Sequence, residues 1–338
     1  MEIIEIDRPE WNRALPNTGF EVFHAPTALS VIDRHAPGEL RLFAGYKGEQ
    51  PVGLMPVVET RRGIGRAVLS PPPAMGIPRL GPILMPTSPK RRSQEKLNRR
   101  FVRGVLDRVG AEQSRSLLKL ICPPSYPDPR AFHWEGLDVE TTFTYLLETE
   151  GKTPEDIQAA FSKSLRRDIR DGRKTDIDVS VESPKSAELV HDTTAARYEE
   201  QGRSYPLDRE YVTDLVTSLS EVDRARVYVA RERDGTFVSG ITVLYSNDAA
   251  YFWQGGTRTE HDGVSVNSLI HWRIIEDVID DPPRESVTGY DLMGANTERL
   301  CKYKSKFGAD LVPYYSVESS GPLMALAKTA YRAMEVVK

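Results

Sequence analysis

Residues 40–59, LRLFAGYKGEQPVGLMPVVE, and residues 226–245, RVYVARERDGTFVSGITVLY, follow one plan written twice. Each gives strand, turn, strand, with two glycines five apart: Gly48 and Gly53, then Gly235 and Gly240. The first glycine of each pair suits a hairpin turn, and the second a bulge or a close approach in the return strand. The repetition continues downstream. A further strand follows each hairpin, then a helix over 93–109 or 265–279, then a short strand over 116–122 or 286–293. Each half closes with a longer strand, 138–148 and 311–318, and a last helix spans 321–338. The duplication predicts an α/β (α+β) chain of two like units, each a mixed, mostly antiparallel sheet with helices on both faces. The Pro-rich SPPPAMGIPRLGPILMP, present in the first copy alone, is expected to be irregular.

A length of 338 residues fits two domains of this kind, each able to bury its own core. No apolar run approaches the roughly 18 residues of a membrane span. The start, MEIIEIDRPEW, lacks the basic flank and apolar stretch of a signal peptide. Cys122 and Cys301 sit in different motifs, which points to free thiols and a cytoplasmic protein. With a net charge of −4, any contact with phosphates must come from a local basic patch.

Such a patch lies between the two copies. Thr153 suits an N-cap, Pro154 the first helical position, and Glu155 and Asp156 the positive end of the dipole. Ile157, Phe161, Leu165 and Ile169 make one buried face of a single helix, opposite a stripe of Lys163, Arg166, Arg167, Arg170 and Lys174. The stripe is either a solvated charged face or an anion platform, with Arg166, Arg167 and Arg170 at its centre.

The segment 290–315, YDLMGANTERLCKYKSKFGADLVPYY, predicts strand, helix, strand, and its helix carries a lysine where an apolar residue belongs. From a start near Asn296, Leu300, Lys304 and Phe307 share one face with Tyr303. Lys302 and Lys306 point the other way, Lys302 four residues after Glu298, and Gly308 ends the helix. Snorkelling along the aliphatic stem is the ordinary explanation for Lys304. The first copy has only PPSYPDPRAFHWEG at the matching place, so fold stability alone does not demand it.

Taken in order, five segments resemble the FemAB-type aminoacyl transferases and the related BioF2-like acyltransferases, double-domain members of the GNAT superfamily. They are FHAPTALSVID with its hairpin; DIQAAFSKSLRRDIRDGRKTDIDV; TTAARYEEQGRSYPLDREYV; YFWQGGT with SVNSLIHWRIIEDVI; and 290–315 itself. The resemblance implies two GNAT-like domains facing across a cleft, residues 1–147 with 319–338 and residues 148–318. It implies an acyltransferase moving an acyl or aminoacyl group onto an amine of a nucleotide-linked or cell-envelope precursor. Tyr303 and Lys304 match an aromatic–lysine pair near the reacting centre. Arg197, Tyr198, Arg203 and Tyr205 lie in the segment that binds substrate, and Tyr251 and Trp253 match a cleft-lining strand. No tightly bound cofactor is implied; the donor is acyl-CoA or aminoacyl-tRNA. The pyrophosphate loop of CoA-dependent members is missing from its place, where GGTRTEHDGVSV stands. RGIGRA at 62–67 fits that pattern in letters only, because a strand and not a helix follows it.

Acyl transfer needs charge stabilisation on a tetrahedral oxyanion and a group to take the amine's proton. Lys304 is the candidate for the first, with Tyr303 positioning substrate, and Asp291 for the second, though an acid beside Gly294 also suits a turn. His271 reads as a core residue, and Tyr245, Tyr251 and Trp253 suit packing as well as a cleft wall. The six histidines form no metal motif, and no Walker loop, Gly-x-Ser-x-Gly elbow or dinucleotide fingerprint is present. The readings left open are a non-catalytic protein that binds the same precursor and an RNA-binding module.

Overall fold

The computed structural model describes residues 1–62, 65–111, 116–257 and 259–320. They fall into two compact units: Met1–Thr142 together with the described chain from Pro313 on, and Phe143–Val312. The predicted helix over 321–338 lies outside the described residues.

The chain opens with β1 (Glu2–Ile6), α1 (Arg8–Ala14) and α2 (Pro26–His35). The first hairpin is β2 (Glu39–Lys47) and β3 (Gln50–Arg62), followed by β4 (Gly65–Ser70), β5 (Ile83–Leu84) and α3 (Arg91–Arg108). Then come β6 (Ser116–Ile121), α4 (Arg130–Trp134) and β7 (Asp138–Glu148). The second half starts with α5 (Pro154–Ala160), α6 (Lys163–Gly172), β8 (Asp178–Glu182), α7 (Ala187–Glu199) and α8 (Arg209–Ser220). Its hairpin is β9 (Ala225–Arg231) and β10 (Phe237–Tyr245). After it come β11 (Ala249–Gly255), β12 (Glu260–His261), β13 (Val264–Ser265) and α9 (Val266–Asp280). β14 (Gly289–Asp291), α10 (Glu298–Lys304) and β15 (Asp310–Glu318) end the described elements.

The two sheets repeat one order. In the first unit β1, β2, β3, β4 and β6 lie side by side, with β4 and β6 parallel. In the second, β8, β9, β10, β11 and β14 do, with β11 and β14 parallel. The hairpin glycines behave as the repeat requires. Gly48 and Gly235 take the positive φ of the turns, at 63° and 90°. A Cβ on Gly53 would lie 2.7 Å from the Phe101 ring of α3, and one on Gly240 2.6 Å from Val190 of α7. Both are close approaches to a packed helix.

Three expectations need correction. The closing strands are exchanged: Leu146, Leu147 and Glu148 of β7 pair with β14, while Ser316, Val317 and Glu318 of β15 pair with β6. A strand's alternation sets which face is buried and says nothing about which edge it completes. Second, the predicted helix from Thr153 is two. Thr153 and Asp156 do form the reciprocal capping box, but Phe161 leaves the helix at ψ 150° and Ser162 caps α6 by accepting from Leu165 N–H at 3.2 Å. A serine offers the backbone a local hydrogen bond that competes with helix continuation. The apolar face survives the break, with Ile157, Phe161, Leu165 and Ile169 all buried.

Third, α10 starts at Glu298 because Asn296 is occupied elsewhere, accepting from Phe143 N–H at 2.9 Å and donating to Phe143 O at 3.2 Å. Leu300 is therefore on an exposed first turn, 37% accessible, and only Lys304 and Phe307 of the predicted stripe are buried. The Glu298–Lys302 ion pair forms at 2.8 Å on the surface, and Gly308 ends the segment at φ 64°. At RGIGRA, Arg62 of β3 pairs with Gly65 of β4, so two antiparallel strands flank the motif; Gly63 and Ile64 lie outside the described residues.

Candidate active site in the second unit

β11 and β14 pair over three residues only, Ala249 with Gly289, Ala250 with Tyr290, and Tyr251 with Asp291. Open α/β sheets bind ligands in crevices beyond the carboxyl ends of such parallel strands. Two devices shape the opening here. On β11 the register against β10 shifts between Thr242 and Val243, which face Gln254 and Phe252, so Trp253 is an extra, bulged residue. On the other side, β14 gives way to Met293 and Gly294, both at positive φ, 59° and 60°.

Lys304 and Asp291 hold that second turn. The Lys304 ammonium donates to Met293 O and, at 3.2 Å, to Gly294 O, and lies 5.6 Å from the centre of the Phe252 ring. Burial pushes its pKa from 10.5 down to about 8, opposed by the charge of Asp291. Asp291 accepts from the Thr144 hydroxyl and, at 2.7 Å, from Met293 N–H. His271 is packed among Phe252, Phe307 and Tyr303 with its Nδ1 2.8 Å from the Tyr290 hydroxyl. Burial, aided by the charge of Lys304, lowers its pKa to about 3, so it stays neutral, as a core histidine should.

In front of this layer is a cleft of about 670 Å³. Tyr303 lines it, and so do Arg197, Tyr198 and Arg203 of the segment singled out from sequence. Lys304 and Asp291 are not among its lining residues. Arg203 lies over the Tyr198 ring, and Tyr205 packs behind it between Tyr198 and His191, at 5.0 and 5.3 Å. Tyr251 is buried and donates to Ser246 Oγ at 3.1 Å, and Trp253 packs against Tyr211 at 6.4 Å. Both serve as packing residues, which alternation along a strand cannot distinguish from a cleft wall.

Sequence reasoning missed several lining residues: Asp168, Asn267, Ser268, Arg299 and the pair Gly255–Gly256. The Tyr303 hydroxyl is buried beside Ser268 and makes no hydrogen bond of ordinary geometry. Burial raises its pKa; Ser268 opposes the rise and the charge of Asp168 adds to it. Asn267 clamps the loop before α9, donating to Gly256 O at 2.8 Å and Thr257 O at 2.7 Å, while Ser239 donates to its Oδ1 at 3.1 Å. The first turn of α9, with no side-chain cap from Ser265, thus faces the cleft through Ser265, Asn267 and Ser268. GGTRTEHDGVSV lacks the expected phosphate motif, yet it brings a helix N-terminus to this place.

Gly255 makes that loop possible. It stands at φ 95°, and a Cβ there would lie 2.2 Å from Gly240 O. Gly255→Ala is expected to destabilise the unit by about 3 kcal/mol or more, the combined cost of a strained φ and a backbone clash. Urea unfolding checks this; an unchanged midpoint would refute the clash.

Arg166, Arg167 and Arg170 lie apart from the cleft. With Lys163 and Arg173 they line a second depression of about 410 Å³ on α6. Acids offset part of this charge: Asp171 meets Arg170 and Lys174 at 3.2 and 3.0 Å, and Glu276 meets Arg173 at 2.9 Å. Among the described residues no group of three or more His, Cys, Asp and Glu side chains could hold a metal ion, and no helix is long and apolar enough to cross a membrane.

Residues 159–305 match the model of an acetyltransferase (GNAT) domain. Among solved structures, FemX covers 93% of this chain and 97% of its own, at 12% identity and a TM-score of 0.68. A tandem GNAT protein from the clavulanic acid biosynthesis pathway, solved without AcCoA, covers 95% and 99% at 13% identity and a TM-score of 0.53. L-PGS from Bacillus licheniformis covers 92% and 96% at 10% identity and a TM-score of 0.51. No curated protein matches the sequence.

Proposed function

From a GNAT-type acyltransferase domain set in a FemAB-like double GNAT fold, we propose an N-acyltransferase that moves an acyl or aminoacyl group onto an amine of a nucleotide-linked or cell-envelope precursor. The observation that carries this reading is the cleft wall, where the buried Tyr303 phenol beside Ser268 is joined by Arg203, Arg299, Lys302, Lys306 and Arg197, the last paired with Glu200 at 2.6 Å. Five cations in one cleft with a donor hydroxyl suit a phosphate-bearing ligand whose reacting carbonyl lies at Tyr303.

The amine nitrogen attacks the carbonyl carbon, forming the C–N bond. The developing oxyanion takes a hydrogen bond from Tyr303, which burial keeps protonated. The amine's surplus proton passes to Asp168, a cleft carboxylate whose charge acts on that phenol, and from it to the donor's sulfur or oxygen as collapse breaks the bond to the carbonyl carbon and releases thiol or alcohol. The roles assigned from sequence therefore shift by one residue: Tyr303 meets substrate, and Lys304 holds the turn behind it.

Two donors fit. The tandem GNAT structure is described as lacking AcCoA, which supports a CoA thioester; the FemAB-type likeness supports aminoacyl-tRNA. Both are found in the cytoplasm. Mass spectrometry of a panel of amines incubated with acetyl-CoA or charged tRNA decides between them. Product with neither, despite tight precursor binding, would make the chain a binding protein. In the productive assay Asp168→Asn should lower turnover about 10²-fold or more. A variant at full rate would remove Asp168 from the mechanism.

A further inference from the structure

The first unit carries a strongly charged surface that the transfer reaction does not use. On α3, Arg92, Lys96, Arg99, Arg100 and Arg103 are all exposed. At 100° per residue they fall within an arc of about 100°, a single row that runs about 16 Å along the helix from Arg92 to Arg103. None of the five has an acidic partner among the described residues. Of the two acids of α3, Glu95 is taken by Arg91 at 3.2 Å and Arg130 at 2.6 Å, and the exposed Asp107, four residues after Arg103, sits at the far end of the row. A helix face kept only for solubility carries both signs in i, i+4 pairs. Five exposed cations beside a single exposed acid, in a chain of net charge −4, are a different pattern.

An aromatic ring stands beside the row. Trp134 of α4 is 47% accessible, one of the most exposed large apolar side chains described. Arg99 lies 5.7 Å and Arg130 5.4 Å from its ring centre. Of the apolar residues of α3 itself, Phe101, Val102, Val105 and Leu106 are buried in the core of the unit, and Leu97 is half-buried. A membrane surface would want several apolar side chains to insert beside the cations, and this face offers only the Trp134 indole and the half-buried Leu97. A row of charge with a half-open indole suits a polyanion that also presents unpaired bases.

We propose that the α3 face is a docking surface for single-stranded RNA, the five cations following its phosphates and Trp134 stacking on a base. The site is independent of the cleft in the second unit and of the reaction proposed there.

The test uses the intact protein and a fluorescein-labelled 20-nucleotide single-stranded RNA, followed by anisotropy between about 50 and 200 mM KCl. Counterion release predicts a log–log salt slope of about −3 for wild type. Arg99→Gln/Arg100→Gln/Arg103→Gln should weaken binding at least about tenfold at low salt and make the slope shallower by about two. The triple Arg→Lys variant should keep the slope, and Trp134→Ala should lose about tenfold in affinity with the slope unchanged. Unaltered binding by the triple Gln variant would overturn the proposal. So would loss of binding on changing Lys163, Arg166, Arg167 and Arg170 instead, or sedimentation with phosphatidylglycerol vesicles by a protein that leaves the RNA free.

Discussion

Tyr303→Phe is expected to lower turnover by about 10²–10³-fold while leaving the affinity for the phosphate-bearing substrate nearly unchanged. The size is that of removing one preorganised donor to an oxyanion. The expectation follows from where the hydroxyl sits. It is buried at the cleft wall beside Ser268, makes no hydrogen bond of ordinary geometry, and is held protonated by its surroundings. A buried hydroxyl without a partner is a group waiting for one, since leaving it so costs stability. Its removal should therefore leave the fold as stable as before or slightly more so. The pairing of outcomes is what discriminates. A rate loss with an unchanged unfolding midpoint assigns Tyr303 to the reaction. A full rate in Tyr303→Phe would return the residue to simple packing against His271 and Phe307, which its ring does at 6.0 and 5.6 Å.

Much of this could be read before any coordinates. The duplicated hairpins, the helices near 93–109 and 265–279 and the segment 290–315 rest on local signals, glycine placement and period, that survive into the fold. What local signals cannot carry is partner choice. The exchange of β7 and β15 between the sheets joins strands far apart in sequence, a long-range matter. The cleft divides the same way. Arg197, Tyr198, Arg203 and Tyr303 come to it as residue types in a familiar segment suggested. Asp168 and Asn267 were missed for a physical reason. Asp168 sits on α6 between arginines, so it looked like part of a solvated face. Asn267 works through two backbone carbonyls ten and eleven residues away, a contact no helical period encodes. Lys304 was singled out correctly as a lysine in an apolar place, but the carbonyls that hold it, on Met293 and Gly294, depend on a left-handed turn that the sequence DLMGAN leaves open.

That lysine gives the second large effect. In the folded chain its pKa is about 8, against 10.5 when exposed. Between those values the unfolded chain holds a proton that the folded chain has released, so stability rises with pH across this window. Below pH 8 both states are protonated and the burial penalty is present in full; above 10.5 neither is, and it is gone. The shift corresponds to about 3 kcal/mol. Lys304→Met removes the titration and leaves every other group in place. The stability of wild type relative to that variant should therefore climb by about 2–3 kcal/mol from pH 7 to pH 10, measured by urea unfolding at each pH. A flat difference would mean that the ammonium is solvated, and the buried geometry would be wrong. The sign at pH 7 is a separate balance, because methionine relieves a buried charge yet strips the donor from two carbonyls at about 1–3 kcal/mol each. A lysine that is costly when charged and still held by both carbonyls of a left-handed turn fixes the course of the chain into α10. Tyr303 is its immediate neighbour on that helix. Lys304→Met should accordingly lower turnover through the position of Tyr303, and the double variant with Tyr303→Phe should be little slower than Tyr303→Phe alone.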